Sequence, residues 1–346
     1  MTDGERLVLV TGANGFVGSH LTEALLARGY RVRCMVRESS DLRYIEHLPV
    51  EWVRADLRGG DLRGADLHGT DLRDGEQLRR ACRGVDMVCH CAALTRAVDE
   101  ETFLRVNARG TEALARAAME ANPGLQRFLY ISSQTAAGYA DGPDDYIDES
   151  RPPRPLDWYG RSKWAAEQAL HALDRHLPVT ILRPTVVFGP RDRDVYTYFD
   201  LVNKHLELSL GREERWVSLI YVRDLVDLII LALESEAAVG QTYFGAGWAT
   251  TYTRVGRMVA RVMDKWTLRV TVPLLALEPI VLVAKVQERL TGKPALLNEQ
   301  RVLNMRQPYL LFSGDKAQRE LGFRPKYELE AALTETAAWY REHGWL

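Results

Sequence analysis

Residues 6–29 read RLVLVTGANGFVGSHLTEALLARG: an unbroken apolar run, a turn with glycines at 12, 15 and 18, then apolar residues at helical spacing. An apolar run without alternation predicts a strand buried on both faces, and the segment beyond the turn predicts a helix packed back onto it. The beat recurs through the first half of the chain. YRVRCMVR, EWVRADL, VDMVCHC, QRFLYISS and LPVTILRP are strand-like, and VDEETFLRVNARGTEALARAAMEA and DWYGRSKWAAEQALHALDRH are helical. Such alternation predicts the α/β class, with a doubly wound parallel sheet covered by helices on both faces.

After Pro184 the beat breaks up and aromatics gather (Tyr196, Tyr198, Phe199, Trp216); WVSLIYV then leads into the helical RDLVDLIILALESE. Residues 1–184 are therefore expected to form the sheet domain and 185–346 a smaller, mixed domain over the carboxyl edge of the sheet. The chain should return to the first domain near 221–244, and substrate should lie in the cleft between the two.

Composition narrows the function. The 346 residues are 46% hydrophobic, enough for a well-filled core, and the formal net charge is −2. No basic field exists to hold a nucleic acid. The four cysteines (34, 82, 89 and 91) and a first strand that follows directly on a short polar start suggest reduced thiols and a cytoplasmic address. Cys89-His90-Cys91 has the look of a metal site, but on a strand His90 points away from both sulfurs, so core thiols and no metal are expected. Residues 270–286, VTVPLLALEPIVLVAKV, are too short and too interrupted to span a bilayer. They are expected to form a helix over the substrate mouth. A weak membrane-surface contact is the alternative, disfavoured because no Lys or Arg cluster flanks the run.

Residues 55–74 carry ADLRGGDLRGADLHGTDLRD, four pentads with Asp-Leu in each. One coil of pentapeptide repeats would have nothing to stack upon. A tandem expansion forming a Gly-rich loop is expected instead, between a strand at 51–55 and a helix over 75–82 capped by Asp74.

Three short patterns carry chemistry. The turn Gly12-Ala-Asn-Gly15-Phe-Val-Gly18 stands where strand meets helix, which suits a dinucleotide pyrophosphate held at the helix N-terminus. At the end of the second strand Arg37, with Ser39 and Ser40, is placed to meet a ribose 2′-phosphate, favouring NADP; alternatively Arg37 is solvated and Glu38 takes the ribose of NAD. Tyr159 and Lys163 lie four apart on a helix, so an ammonium can lower the phenol pKa and the phenol can exchange a proton with a substrate oxygen. Ser132 and Ser133, at a strand end, offer a further hydroxyl to that oxygen.

Glycine turn, strand-end serines and Tyr-Lys helix, in this order, resemble the extended branch of the short-chain dehydrogenase/reductase superfamily, the NAD-dependent epimerase/dehydratases. The resemblance runs the whole chain, through His90-Cys-Ala-Ala93, Val106-Asn-Ala-Arg-Gly-Thr111, Arg183-Pro-Thr-Val-Val-Phe-Gly-Pro190 and Tyr221-Val-Arg-Asp224. ISSQTAAGY, YGRSKWAAE and LTGKPALLNEQRV look most like the 3β-hydroxysteroid dehydrogenase-like reductases.

The resemblance implies a Rossmann domain and assigns roles. Tyr159 would be the acid/base, Lys163 would hold the nicotinamide ribose, and Ser133 would polarise the carbonyl, with Ser132 as the alternative. Gly12, Asn14, Gly15, Phe16, Val17 and Gly18 would surround the pyrophosphate; Arg37 and Ser39 would meet the ribose. Ala92, Ala93, Pro184 and Val186 would line the cofactor. An Asp-Leu pair would reach the adenine, Asp56-Leu57 first and Asp71-Leu72 second. A homodimer through the helices bearing Asn107 and Tyr159 is also implied. Ala136-Ala137-Gly138 lacks the aromatic found there in many sugar-nucleotide epimerases, and Arg223 replaces a frequent acid.

Three functions are therefore weighed. The first is an NADP-dependent oxidoreductase interconverting ketone and secondary alcohol on a fairly apolar small molecule (sterol, terpenoid, flavonoid-like or β-keto acyl). The second is a nucleotide-sugar epimerase or dehydratase with tightly bound NAD, and the third a dinucleotide-binding sensor without turnover. The Tyr159, Lys163 and Ser133 set argues against the third, since binding alone needs no acid/base pair.

Overall fold

The structure, a computed structural model, describes residues 6–57, 72–291, 295 and 298–346. The first half builds six strands: β1 (Leu7–Thr11), β2 (Arg31–Val36), β3 (Glu51–Arg54), β4 (Met87–His90), β5 (Arg127–Ile131) and β6 (Val179–Pro184). Between them run α1 (Phe16–Ala27), α2 (Leu72–Cys82), α3 (Glu100–Phe103), a π-helical segment (Leu104–Arg109), α4 (Gly110–Ala121) and α5 (Trp158–His171). The second half adds β7 (Val186–Phe188), α6 (Tyr196–Asn203), β8 (Leu206–Leu210), β9 (Trp216–Tyr221), α7 (Val222–Glu234) and β10 (Gln241–Gly245). It ends with β11 (Trp248–Thr251), α8 (Tyr252–Val262), β12 (Leu268–Val272), α9 (Leu277–Thr291), α10 (Glu299–Met305), β13 (Tyr309–Leu310), α11 (Asp315–Leu321) and α12 (Leu329–Glu342).

Seven strands form one parallel sheet in the order β10-β6-β5-β4-β1-β2-β3. Alternate residues of each strand feed opposite layers. Val8 and Val10 join Leu21 and Leu25 of α1 and Leu225 and Ile229 of α7. Leu7 and Leu9 join Leu78 of α2, Leu114 of α4 and Ala166 of α5. Cys89 and Cys91 fall in the first layer, and His90 faces the other way, as strand alternation requires. All four cysteines are free thiols.

Moving outward from β1 the chain winds β1-β2-β3, then crosses back to β4 and winds the other way. The crevice at the carboxyl ends of β1 and β4 is thus the topological switch point, where open α/β sheets take their ligands. Residues 222–245, α7 and β10, return to this sheet, with Gln241 to Gly245 pairing Thr180 to Pro184. The remainder forms a second sheet of β11, β9, β13 and β7 and a separate two-stranded ribbon of β8 and β12. Phe199, Val217, Val259, Leu333 and Tyr340 make the second core, under α6, α8 and α12.

Two expectations change here. The helix expected at 75–82 begins at Leu72, so Asp74 lies within its first turn rather than at its cap. Most of the pentad stretch, including Asp71, lies outside the described residues, as do the side chains of Leu72, Arg73 and Asp74. The single helix expected over 270–286 is instead the end of β12, a short turn at Leu274–Ala276, and α9. Pro273 separates strand from turn, whereas Pro279 is tolerated in the first turn of α9, whose N–H groups need no partner within the helix.

Candidate active site

The switch-point crevice is shaped by glycines. Gly12 has φ of +67°, and a Cβ there would lie 2.8 Å from the Ala92 nitrogen; at Gly18 it would lie 2.1 Å from the Gly12 carbonyl. Thus β1, the strand end at Ala92 and α1 can meet this closely only with bare backbone. The first turn of α1 holds no acid, and Gly15 gives it no side-chain cap, so its N–H groups keep their capacity for an anion. Asn14, Phe16 and Val17 are half-buried around that turn, and Ala92 and Ala93 flank it from β4. Pro184 is buried and Val186 half-buried at the end of β6 and the start of β7. The backbone groups and shape of this crevice fit a dinucleotide pyrophosphate.

At the outer end of the crevice Arg37 and Ser39 are exposed, and the Arg37 N–H donates to Ser40 Oγ at 3.0 Å. Among the described residues the Arg37 guanidinium has no ion-pair partner. Arg54, beside Val36 in the β2–β3 register, donates to the Arg37 carbonyl at 2.9 Å. Two guanidinium groups therefore stand together at the outer end of the crevice, and Arg54 was missed in the sequence although it closes β3. The carbonyl of Leu57 packs on α4: a Cβ at Gly110 would lie 2.9 Å from it, which fixes the chain directly after Asp56.

The proton-handling groups gather at the end of β5. Asp157 caps α5, accepting from the Gly160 N–H at 2.8 Å. Gly160 is what lets the helix approach: a Cβ there would stand 2.5 Å from the Thr135 carbonyl, in the turn that follows Ser133. The result is that Ser133 comes close enough to the Tyr159 phenol to act on its ionisation. Thr135 donates to Ser133 Oγ from its hydroxyl at 2.9 Å and from its N–H at 3.2 Å, orienting it. Burial pushes the Tyr159 phenol up from its ordinary value, the Asp157 carboxylate adds to this, and the nearby Ser133 hydroxyl opposes it.

The ammonium expected to lower the phenol pKa does something else. Lys163 is 1% exposed; its Nζ donates to the Ile131 carbonyl at 2.6 Å and sits 4.3 Å from the centre of the Tyr130 ring. Burial drives its own pKa down to about 7, opposed by the charges of Glu167 and Cys91. With the cation held at the strand end, burial dominates the phenol and the expected lowering is absent.

Ser132 is occupied elsewhere. Its hydroxyl donates to Glu167 Oε1, and Glu167 takes a two-pronged pair from Arg183 on β6, 3.0 Å from Nε and 2.6 Å from Nη2. All three residues are buried. Tyr159, Lys163 and Glu167 thus form one stripe along α5 at spacings of four, of which sequence reading took only the first two.

Three other groups support the site: Asn107 and His90, which the sequence named without this role, and a pair on α10 that it did not single out. Asn107, in the π-helical segment, bonds both the N–H (2.8 Å) and the carbonyl (2.9 Å) of Leu94 and donates to Ser162 Oγ at 3.0 Å. His90 lies between Thr11 Oγ1 (2.6 Å) and Thr111 Oγ1 (2.8 Å). Thr111 donates to the Asn107 carbonyl, so it accepts from His90 Nε2–H, while Thr11 accepts from Ala92 N–H and donates to Nδ1. Burial lowers the His90 pKa to about 3, leaving a neutral imidazole wedged beneath the crevice. From α10, Gln300 accepts from Trp158 N–H, and Asn304 donates to Asp157 at 2.8 Å while accepting from the Tyr139 hydroxyl. The Asp157 cap was visible as an acid before a helical run; the α10 partners come from too far along the chain to be read. Arg223, whose partner was open, pairs with Glu335 of α12.

Comparison with known proteins agrees with this architecture. Residues 8–244 match the model of the NAD dependent epimerase/dehydratase family. Sterol demethylase protein B of Methylococcus capsulatus is 30% identical, over 97% of this chain and 98% of its own. Ceramide reductase of Caulobacter vibrioides is 28% identical, over 100% of this chain and 98% of its own. The crystal structure of gox2253 superposes with a TM-score of 0.79 at 30% identity, covering 98% of this chain and 99% of that one. A dTDP-glucose 4,6-dehydratase from Streptomyces venezuelae, with NAD bound, shares the fold at a TM-score of 0.77 and 23% identity, covering 98% of each chain.

Proposed function

Since this chain belongs to the NAD dependent epimerase/dehydratase family and is an NAD(P)-dependent oxidoreductase, we propose that it interconverts a ketone and a secondary alcohol on a fairly apolar small molecule, using NADP. The observation that carries this reading is the convergence of Ser133 and Tyr159 beside the crevice between β1 and β4. The nicotinamide, when bound, supplies the hydride chemistry. Ser133 orients the substrate oxygen, and Tyr159 gives or takes its proton. Lys163, once its ammonium turns from the Ile131 carbonyl to the ribose hydroxyls, holds the sugar. Gly12, Gly15 and Gly18 admit the pyrophosphate, Arg37 with Arg54 favours a 2′-phosphate, and Asp56 faces the adenine. Residues 1–184 with the 221–244 return form the cofactor domain, and the rest of 185–346 supplies the substrate side. A homodimer through the helices bearing Asn107 and Tyr159 belongs to the same reading.

The apolar class, such as a sterol, terpenoid, flavonoid-like or β-keto acyl compound, is supported by relatives named for a sterol and for ceramide. Ala136 and Ala137, both buried, offer no aromatic for a nucleotide sugar. The nucleotide-sugar reading is supported by the NAD-bound dehydratase that shares the fold. Screening ketones while following NADPH and NADH absorbance separates the two. The proposed reaction consumes NADPH stoichiometrically, whereas a cofactor that stays bound and returns to its starting state with a sugar nucleotide would overturn it.

A further inference from the structure

We propose that Asn304 of α10 is a positioning residue for the proton-transfer step: from the substrate side it completes the cap on which Tyr159 stands. The role rests on the acid/base reading of Tyr159.

Asp157 is where the two meet. It is 4% exposed, and among the described residues no cation lies within ion-pairing distance of it; Arg161, on the same helix, pairs with Glu100 instead. A carboxylate buried in this way is kept ionised by its hydrogen-bond donors. Oδ1 accepts from the Gly160 N–H, closing the first turn of α5, and Oδ2 accepts from Asn304 Nδ2 at 2.8 Å, its one side-chain donor among the described residues. The Asn304 amide is held the right way round, because the Tyr139 hydroxyl donates to its Oδ1 and a flipped amide would set oxygen against carboxylate. One turn earlier on the same face of α10, Gln300 accepts from the Trp158 N–H at 3.1 Å. Trp158 opens α5, and Tyr159 is the next residue. Two side chains that lie 142 and 147 positions further along the chain thus hold the helix end that carries the phenol.

Charge follows the same route. The Asp157 carboxylate raises the Tyr159 phenol, second only to burial. Burial raises Asp157 itself, and the Asn304 donor is the first of the groups that oppose this, followed by the Gly160 N–H and, more weakly, the charge of Arg161. The other titratable neighbour is the Tyr139 phenol, which burial and Asp157 push up. Without the Asn304 donor Asp157 moves further up, so acid neutralises the cap sooner. Asn304 also lines a cavity of about 100 Å³ with Leu208, Arg215 and Tyr252. A direct substrate contact is therefore the rival role.

The test compares wild type, Asn304→Leu, Asp157→Ser and the double variant, using NADPH and the ketone that the wild type reduces fastest. Asn304→Leu should lower kcat by about tenfold or more, leave the NADPH dissociation constant within about twofold, and bring the acid fall-off of kcat/KM about one pH unit higher. Asp157→Ser keeps a cap without its charge, so adding Asn304→Leu to it should cost less than about twofold further. If Asn304→Leu does not fold, Tyr139→Phe, which removes only the hydroxyl that orients the amide, should shift the acid fall-off the same way with a loss of about threefold in kcat. An unmoved acid limb, losses that add in the double variant, or a loss confined to KM would each overturn the proposal, the last by making Asn304 a substrate contact. Tyr159→Phe, run alongside, tells the two readings apart. If it turns over like the wild type, the acid/base reading falls and the positioning role with it; if it is inactive while Asn304→Leu matches the wild type, the positioning role alone falls.

Discussion

Helices α5 and α9 are nearly the same length, 14 and 15 residues, yet they invert each other. α5 carries Lys163 and Glu167 into the interior, at 1% and 0% exposure, whereas α9 holds leucines in solvent. In α5 every buried charge has a partner: Ile131 and Tyr130 for the ammonium, Arg183 and Ser132 for the carboxylate. In α9 the outer leucines have none. Departures from the inside–outside rule are costly, so they survive where the chain gains something besides stability. In α5 the buried charges stand beside Tyr159, the proposed acid/base, whereas the outer stripe of α9 adds nothing to the core.

The sharpest way to break this contrast is to remove the phenol. Tyr159→Phe should lower turnover by about a thousandfold or more while leaving cofactor affinity unchanged; undiminished turnover would falsify the acid/base role. Next is Glu167→Gln, which strips the buried pair and should destabilise the fold by about 3–5 kcal/mol in denaturant titration. A loss below 1 kcal/mol would mean that Arg183 finds another partner. At the ribose end, Arg37→Ser should reduce kcat/KM for NADPH by about 10–100-fold and leave NADH untouched. Equal loss with both cofactors would remove the case for NADP.

A smaller effect is expected from Lys163. Its folded pKa of about 7 lies below its ordinary value, so the unfolded chain binds the extra proton across the interval between them. Stability therefore rises with pH from about 7 upward, and the cost of the buried ammonium is fully present below 7. The melting temperature of the cofactor-free wild type, taken relative to Lys163→Met, should climb between pH 6 and 8.5. A flat difference would place the proton elsewhere. Smallest of all, Leu282→Gln should shift stability by no more than about 0.5 kcal/mol, because its side chain already stands in water; a drop comparable to that of Glu167→Gln would show that the outer stripe is packed.

What could be read from the chain alone was what is local. The succession of strands and helices, the glycine turn and the placing of Tyr159 and Lys163 on one helix face depend on residues within a few positions of one another or on a repeated β-α beat. The competition between Ser132 and Ser133 was unreadable, because it is decided by Glu167 and Arg183 closing on one hydroxyl in three dimensions. Likewise the sign of the phenol shift depends on where the Lys163 amine finds an acceptor. The pairing of LELSL with LRVTV was not read, because it joins residues some sixty positions apart, and the bare Gly256 beneath Glu207 is what lets that side face in.

The π-helical segment at Leu104–Arg109 has a consequence of its own. It holds one more residue per turn than the α-helices on either side, and that surplus sets the phase of everything after it. Deleting a single residue there would rotate α4 by about 100° against its upstream half. Gly110 would swing away from the Leu57 carbonyl and Thr111 away from the imidazole it receives, so the chain after β3 and the sheet centre would lose their support together. One surplus amino acid thereby acts as the vernier that keeps two distant ends of a crevice in line.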